Sequence, residues 1–278
     1  MSITTEIYHL QEIPRYATEK PYTMRYVPEG GLAITNVARE KHTVAVQDIR
    51  DAKTNATLDR NGFMVSHLPV NAMSYDDYDS QEKIVNVYLP ELEQILLQQF
   101  PGCTIDFVSY LIRKREASFP YSTGEQYSFG QPNIVAHVDA TPNDMVRQII
   151  RRHGADAQRL LKGRAQYITV WKPLRGPLHD YPLALCDRQS IDSALDLEPQ
   201  DIVDKEEVLE NIHIYRRPNH QWYYLSGQQT SEALIFRQAD TRPNGYGTPH
   251  CAIKNPAAPA DCTPRESIEV VAFVYSED

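Results

Sequence analysis

The residues best suited to chemistry are His137 and Asp139, two positions apart at the end of the apolar run Asn133-Ile134-Val135-Ala136. Side chains two positions apart on a strand leave the same face. An imidazole and a carboxylate therefore converge there, two of the three groups of a 2-His-1-carboxylate iron site. His250, behind Thr248-Pro249, supplies the third, with Pro249 restricting the backbone just before it. Three protein ligands on one face of Fe(II) leave the opposite positions open for a cosubstrate and O2. Arg265 and Ser267 repeat the two-residue spacing. A guanidinium is permanently charged and grips a carboxylate with two prongs, and a hydroxyl on the same face donates to the same acceptor. The set reads as an iron site followed by an anchor for the far carboxylate of 2-oxoglutarate. Other arrangements fail: the chain has no Gly-x-Gly-x-x-Gly, phosphate loop or Gly-x-Ser-x-Gly. A hydrolytic zinc reading of His137 and Asp139 leaves Arg265-x-Ser267 without a role. His67 is expected to pack or lie on the surface, and His153 to pack, rather than ligate.

The elements that must hold these groups are mostly strands. Segments 166–171, 183–186, 212–215, 221–225, 232–237, 250–253 and 267–275 are short, β-branched or aromatic, and separated by turn residues. That pattern predicts a mainly β double-sheet jelly roll, cupin-like, with flanking helices. Earlier strands are predicted at 32–37, 42–49, 63–68 and 104–113. A helix is predicted over 84–100, broken or kinked by Pro90 into two, from the spacing of Ile84, Tyr88, Leu92, Ile95 and Leu96. A second helix starts at Thr141-Pro142-Asn143-Asp144, with Thr141 as cap, and runs through Lys162. The acidic stretch 192–210 reads as an exposed loop or short helix. The polar loop 116–131, just before His137, has the position of a substrate lid, with a solvated connection as the alternative. Residues 1–278 read as one domain, with 1–103 an N-terminal extension packed on the core.

The chain has 278 residues, 41% of them hydrophobic, enough for one large core. A net charge of −9 with no basic run disfavours nucleic acid and anionic membranes. No apolar run reaches the length of a membrane span. The opening residues lack the basic and apolar regions of a secretory signal. The spacing of Cys103, Cys186, Cys251 and Cys262 fits neither zinc nor a disulfide framework. The expectation is a cytoplasmic protein with free thiols, acting on a small molecule, with a homodimer left open. Cys251, next to His250, is placed near the metal by sequence alone.

From about Thr104 onward the chain resembles the AsaB-like hydroxylase/desaturase family, the CmcJ/NvfI-type Fe(II)/2-oxoglutarate oxygenases. The resemblance rests on Ala136-His137-Val138-Asp139, Val170-Trp171-Lys172-Pro173-Leu174, Pro182-Leu183-Ala184-Leu185-Cys186-Asp187, Pro249-His250 and Arg265-Glu266-Ser267-Ile268-Glu269. It implies a double-stranded β-helix. It implies Fe(II) on His137, Asp139 and His250, 2-oxoglutarate on Arg265 and Ser267, O2 as the other cosubstrate, and a natural-product substrate that is hydroxylated, desaturated or converted to an endoperoxide. Trp171 and Tyr224 are candidate substrate contacts. Two rival readings are a non-catalytic jelly-roll accessory protein and an iron oxidase needing no 2-oxoglutarate.

Overall fold

Alternation of side chains sorts the chain into two sheets. The structure is a computed structural model that describes residues 2–51, 55–68, 72–121 and 124–277. Its strands are β1 (Ser2–Leu10), β2 (Tyr22–Met24), β3 (Arg39–Asp48), β4 (Phe63–His67), β5 (Cys103–Lys114), β6 (His137–Val138) and β7 (Arg164–Pro173). They continue with β8 (Leu183–Cys186), β9 (Leu197–Val203), β10 (Val208–Ile214), β11 (Trp222–Tyr224), β12 (Glu232–Asp240), β13 (His250–Ala252) and β14 (Glu266–Ser276). Nine form one sheet in the order β1-β3-β11-β8-β13-β6-β10-β9-β2, and five form the other in the order β4-β12-β7-β14-β5. The architecture is a jelly roll, a double-stranded β-helix.

The two sheets meet across Phe63, Trp171, Leu183, Leu185, Tyr223, Leu234 and Phe236. The five-stranded sheet buries its other face, Ile168, Val170, Ile268 and Val270, against helix residues Tyr88, Leu92 and Leu96. The nine-stranded sheet curls until its first strand returns to its middle. Ala136 N–H donates to Tyr8 O at 2.8 Å, and Tyr8 and Leu10 bridge Val135 and Tyr215. Ile7, Val46, Val138, Ile214, Trp222 and Cys251 fill that curl.

Several elements differ from expectation for identifiable reasons. The helix over 84–100 is not split. α1 (Gln81–Lys83) runs through a π-helical stretch, Ile84–Tyr88, into α2 (Leu89–Gln99), with Pro90 in the first turn of α2. A π turn is a wider ring that accommodates the proline without ending the helix. α3 (Pro142–His153) starts on Thr141, whose hydroxyl accepts from Asp144 N. It stops before Lys162, because Gly154 takes φ +53° and a shorter helical segment follows. Residues 32–37 form no strand beyond a single bridge at Thr35. The acidic stretch 192–210 is not a helix but contributes β9 and the start of β10, an antiparallel pair. Its charges are tolerated because Lys20 bridges Asp201 and Glu210. β1 and β2 were not expected. They and β3 join the nine-stranded sheet, and β4 joins the five-stranded one.

Candidate active site

The ends of β6 and β13 bring the three expected ligands together. His250 pairs directly with His137 across these strands, and paired residues share a face. Their ring centroids are 4.3 Å apart. Asp139, just past β6, places one carboxylate oxygen 3.1 Å from His137 Nε2 and the other 3.6 Å from His250 Nε2. One donor atom from each residue lies within 4.8 Å of the others.

The donor set suits a divalent transition metal. His137 Nδ1–H donates to Val135 O at 2.7 Å and His250 Nδ1–H to Thr248 O at 3.1 Å. These bonds fix the tautomer that leaves both Nε2 lone pairs for the metal, the usual orienting partners of ligating histidines. Gln238, fully buried, holds the carboxylate. Its amide N–H donates to Asp139 and to Thr169 Oγ1, and its Oε1 accepts Asp139 N–H at 2.9 Å. Burial and the neighbouring His137 lower the His250 imidazole to about 4, so it is neutral and ready to ligate. Burial depresses His137 as well, but its hydrogen bond and attraction to Asp139 outweigh that and leave it above the usual value. Burial works against ionisation of Asp139; His250 and His137 overcome it, holding the carboxyl below its usual range.

The same cavity runs from the three ligands to Arg265, lined by Arg113, Asn133, Leu183 and Glu269. Arg265 is 3% exposed. Its backbone N–H donates to Asp180, its Nε approaches Ser267 Oγ at 3.4 Å, and one terminal nitrogen donates to Tyr181 O. The guanidinium lies 4.8 Å over the Trp171 ring. Trp171, fully buried, thus supports the arginine from beneath. Tyr224 lies with Trp222 and Cys251 in the curl of the nine-stranded sheet, on the face opposite His137 and His250. Alternation along β11 turns it away from the cavity. The Cys251 side chain likewise packs there, where burial pushes its thiol far up and keeps it inert.

Strand register adds residues that sequence reading missed. Ser267 pairs with Arg113, and Glu269 follows Ser267 by two. Arg265, Ser267, Glu269 and Arg113 therefore share one inward face. The signal was present, since the two-residue spacing of Arg265 and Ser267 continues to Glu269. Burial, then Asp139, pushes the Glu269 carboxyl up to about 7, against the pull of Arg113, His137 and Arg265. His213 pairs with His137 from the other side; it is buried and its Nδ1 has no partner among the described residues. Part of the expected lid, residues 122 and 123, lies outside the described residues. The base of that loop is fastened: Gln131 takes hydrogen bonds from Arg113 and Glu116 N–H and donates to Lys114 O.

A family model described as "Oxidoreductase/YMDC permease-like domain" matches residues 9–275. Fe(II)/2-oxoglutarate-dependent dioxygenase nvfI of Aspergillus novofumigatus is 28% identical, with 94% of this chain and 93% of that protein covered. Hydroxylase/desaturase poxK of Penicillium oxalicum is 26% identical over 99% of this chain and 92% of its own length. Aspirochlorine biosynthesis protein N of Aspergillus oryzae is 38% identical over 48% of this chain, a match spanning 57% of that protein. The structure of the iron and alpha-ketoglutarate-dependent endoperoxidase NvfI superposes with a TM-score of 0.85 at 26% identity, covering 100% of this chain and 99% of that one. Fold and site together define a non-haem Fe(II)/2-oxoglutarate-dependent oxygenase. The chain belongs to the matched oxidoreductase family and, with these relatives, to the AsaB-like hydroxylase/desaturase family.

Proposed function

We propose that His137, Asp139 and His250 hold Fe(II), that Arg265 and Ser267 hold the far carboxylate of 2-oxoglutarate, and that this oxygenase modifies a small natural product. When bound, iron and 2-oxoglutarate supply the oxidising power of O2, with succinate and CO2 as coproducts. The chain's own work is positional. Val135 O and Thr248 O aim the imidazoles, Gln238 fixes the carboxylate, and Trp171 and Tyr181 O hold Arg265 ready for a planar anion. The observation that carries the reading is a three-donor cluster, with both histidine Nε2 atoms facing the Asp139 carboxylate, in one cavity with a buried arginine. Relatives named for biosynthesis, hydroxylation, desaturation and endoperoxide formation support a natural-product substrate and leave hydroxylation, desaturation and endoperoxidation as the outcomes to assay. The intact donor set argues against an accessory role, and Arg265 against an oxidase without 2-oxoglutarate.

The protein is read as one functional unit, since residues 1–103 lend strands to both sheets. The cysteines are free, which suits a reducing cytosol. No helix among the described residues is long and apolar enough to cross a membrane. The test is anaerobic reconstitution with Fe(II) and 2-oxoglutarate, followed by the visible charge-transfer band of the chelate. The band should appear with both components present, and its absence in metal-loaded protein overturns the cosubstrate assignment.

A further inference from the structure

Asn133 stands at the exposed mouth of the metal cavity and lines it with the three ligand residues and Arg265. Its place is fixed from two sides. Its backbone C=O accepts Ala252 N–H at 2.6 Å, two residues past His250. Its side-chain Oδ1 accepts Val135 N–H at 3.1 Å, closing a turn just before β6. With Oδ1 committed as the acceptor, the amide has one orientation, and its NH2 end faces His137. Asn133 Nδ2 lies 3.4 Å from His137 Nδ1 and 3.3 Å from Nε2. The in-plane lone-pair directions of those two nitrogens diverge. A group nearly equidistant from both therefore sits over the ring face and bonds neither in plane. No oxygen among the described residues accepts from this NH2 group.

We propose that Asn133 is a further cosubstrate-binding residue, its Nδ2–H donating to the carboxylate by which 2-oxoglutarate joins the metal. A metal on a histidine Nε2 lies in the ring plane, about 2.1 Å beyond the nitrogen. A donor held over one face of that ring reaches a ligand atom bound to the metal on the same side. The cavity continues to Arg265, so an acid anchored there by its far carboxylate brings its near carboxylate to the metal. An anionic oxygen is the acceptor that an uncommitted N–H favours most. The amide is also neutral, so it can hold an anion beside the metal without repelling a dication, as a guanidinium there would. This deepens, and rests on, the iron and 2-oxoglutarate assignment above. A residue that served only to close the turn before β6 would be replaced by any side chain able to accept Val135 N–H.

That difference sets the experiment. In Asn133→Ser the hydroxyl can still accept Val135 N–H, but the NH2 group is gone. Asn133→Ala loses both. Wild type and the two variants are titrated with Mn(II) and then, metal-loaded, with 2-oxoglutarate, by calorimetry. Both variants should bind 2-oxoglutarate roughly tenfold more weakly than wild type, since one charge-assisted hydrogen bond is lost. Mn(II) affinity should be unchanged in Asn133→Ser. A serine variant that binds 2-oxoglutarate as wild type does, or that loses Mn(II) affinity along with it, overturns the proposal and leaves Asn133 a turn residue. If only one variant folds, weaker 2-oxoglutarate with unchanged Mn(II) affinity in that variant supports the proposal, and any other result overturns it. A wild type that takes up Mn(II) yet binds no 2-oxoglutarate refutes the underlying function instead, so the two failures are distinguishable.

Discussion

At the scale of single residues, the proposed ligands and the proposed anchor were legible because strand periodicity places each pair on one face. His137 with Asp139, and Arg265 with Ser267, each share a face, and their residue types suit metal and carboxylate. Gln238 was not legible, since its partner Asp139 is 99 positions away and nothing local marks a glutamine as an orienting group. Its weight can be measured. Gln238→Ala frees the Asp139 carboxylate and backbone, and orienting partners of this kind typically change metal affinity by about 10–100-fold. A competitive chelator titration should show that loss while folding cooperativity is kept; unchanged affinity removes Gln238 from the site. Arg265→Ala should weaken 2-oxoglutarate by roughly thirty-fold or more, since a charge-assisted buried pair is lost. Arg265→Lys should recover only part, and Ser267→Ala should cost about 1 kcal/mol. Titration of the charge-transfer band decides, and wild-type affinity in Arg265→Ala sinks the anchor. Proton competition gives a further expectation. Iron needs a neutral His137, whose value in the metal-free protein stands above the usual one. Metal affinity should therefore fall as pH drops through that raised value, as protons compete with the metal for His137. His250, already neutral above about 4, adds nothing until much lower pH. Affinity that stays level across the neutral range would contradict the ligand role of His137.

At the scale of elements, type was clearer than extent. Apart from β9 and the start of β10, the strands from β7 onward fell close to their predicted bounds, because a β-branched run between turn residues leaves few alternatives. β9 was obscured by charge, since its acidic residues are satisfied by Lys20, far away in sequence. α3 was announced by its cap. Thr141 Oγ1 accepts from Asp144 N at 3.0 Å and also contacts Glu210. Met145 and Ile149, both fully buried, press that helix onto Tyr167 and Phe273. Thr141→Ala should lower stability by about 1 kcal/mol through loss of the cap, read by denaturant unfolding. Stability equal to wild type means that the Thr141 hydroxyl contributes nothing net.

At the scale of the molecule, the first strand is what local reading undervalued most. Ser2–Leu10 looks unremarkable in sequence because its partners are distant. It pairs along its whole length with β3 and closes the curl by bonding Ala136, the residue before His137. Ile7, His9 and Leu10 are fully buried, and each buried apolar side chain contributes roughly 1.5–3 kcal/mol. An extension that merely rested on a finished core would be dispensable to the site; this strand supports β6 directly, so it should not be. Ile7→Ala leaves a void in the curl and should cost about 2–5 kcal/mol. Deleting residues 2–10 exposes the same interior, removes the bond to Ala136 N and frees the backbone that carries His137. The deletion should therefore lose cooperative unfolding or, if it folds, bind Fe(II) at least about tenfold more weakly, by analogy with loss of an orienting partner. Ile7→Ala, which keeps the backbone bond, should lose stability but retain iron affinity once folded. Denaturant unfolding and chelator competition on both variants separate packing from positioning. A deletion variant with wild-type stability and wild-type iron affinity would show that β1 is an appendage after all, and that the ligand strand is held in place by β10 and β13 alone.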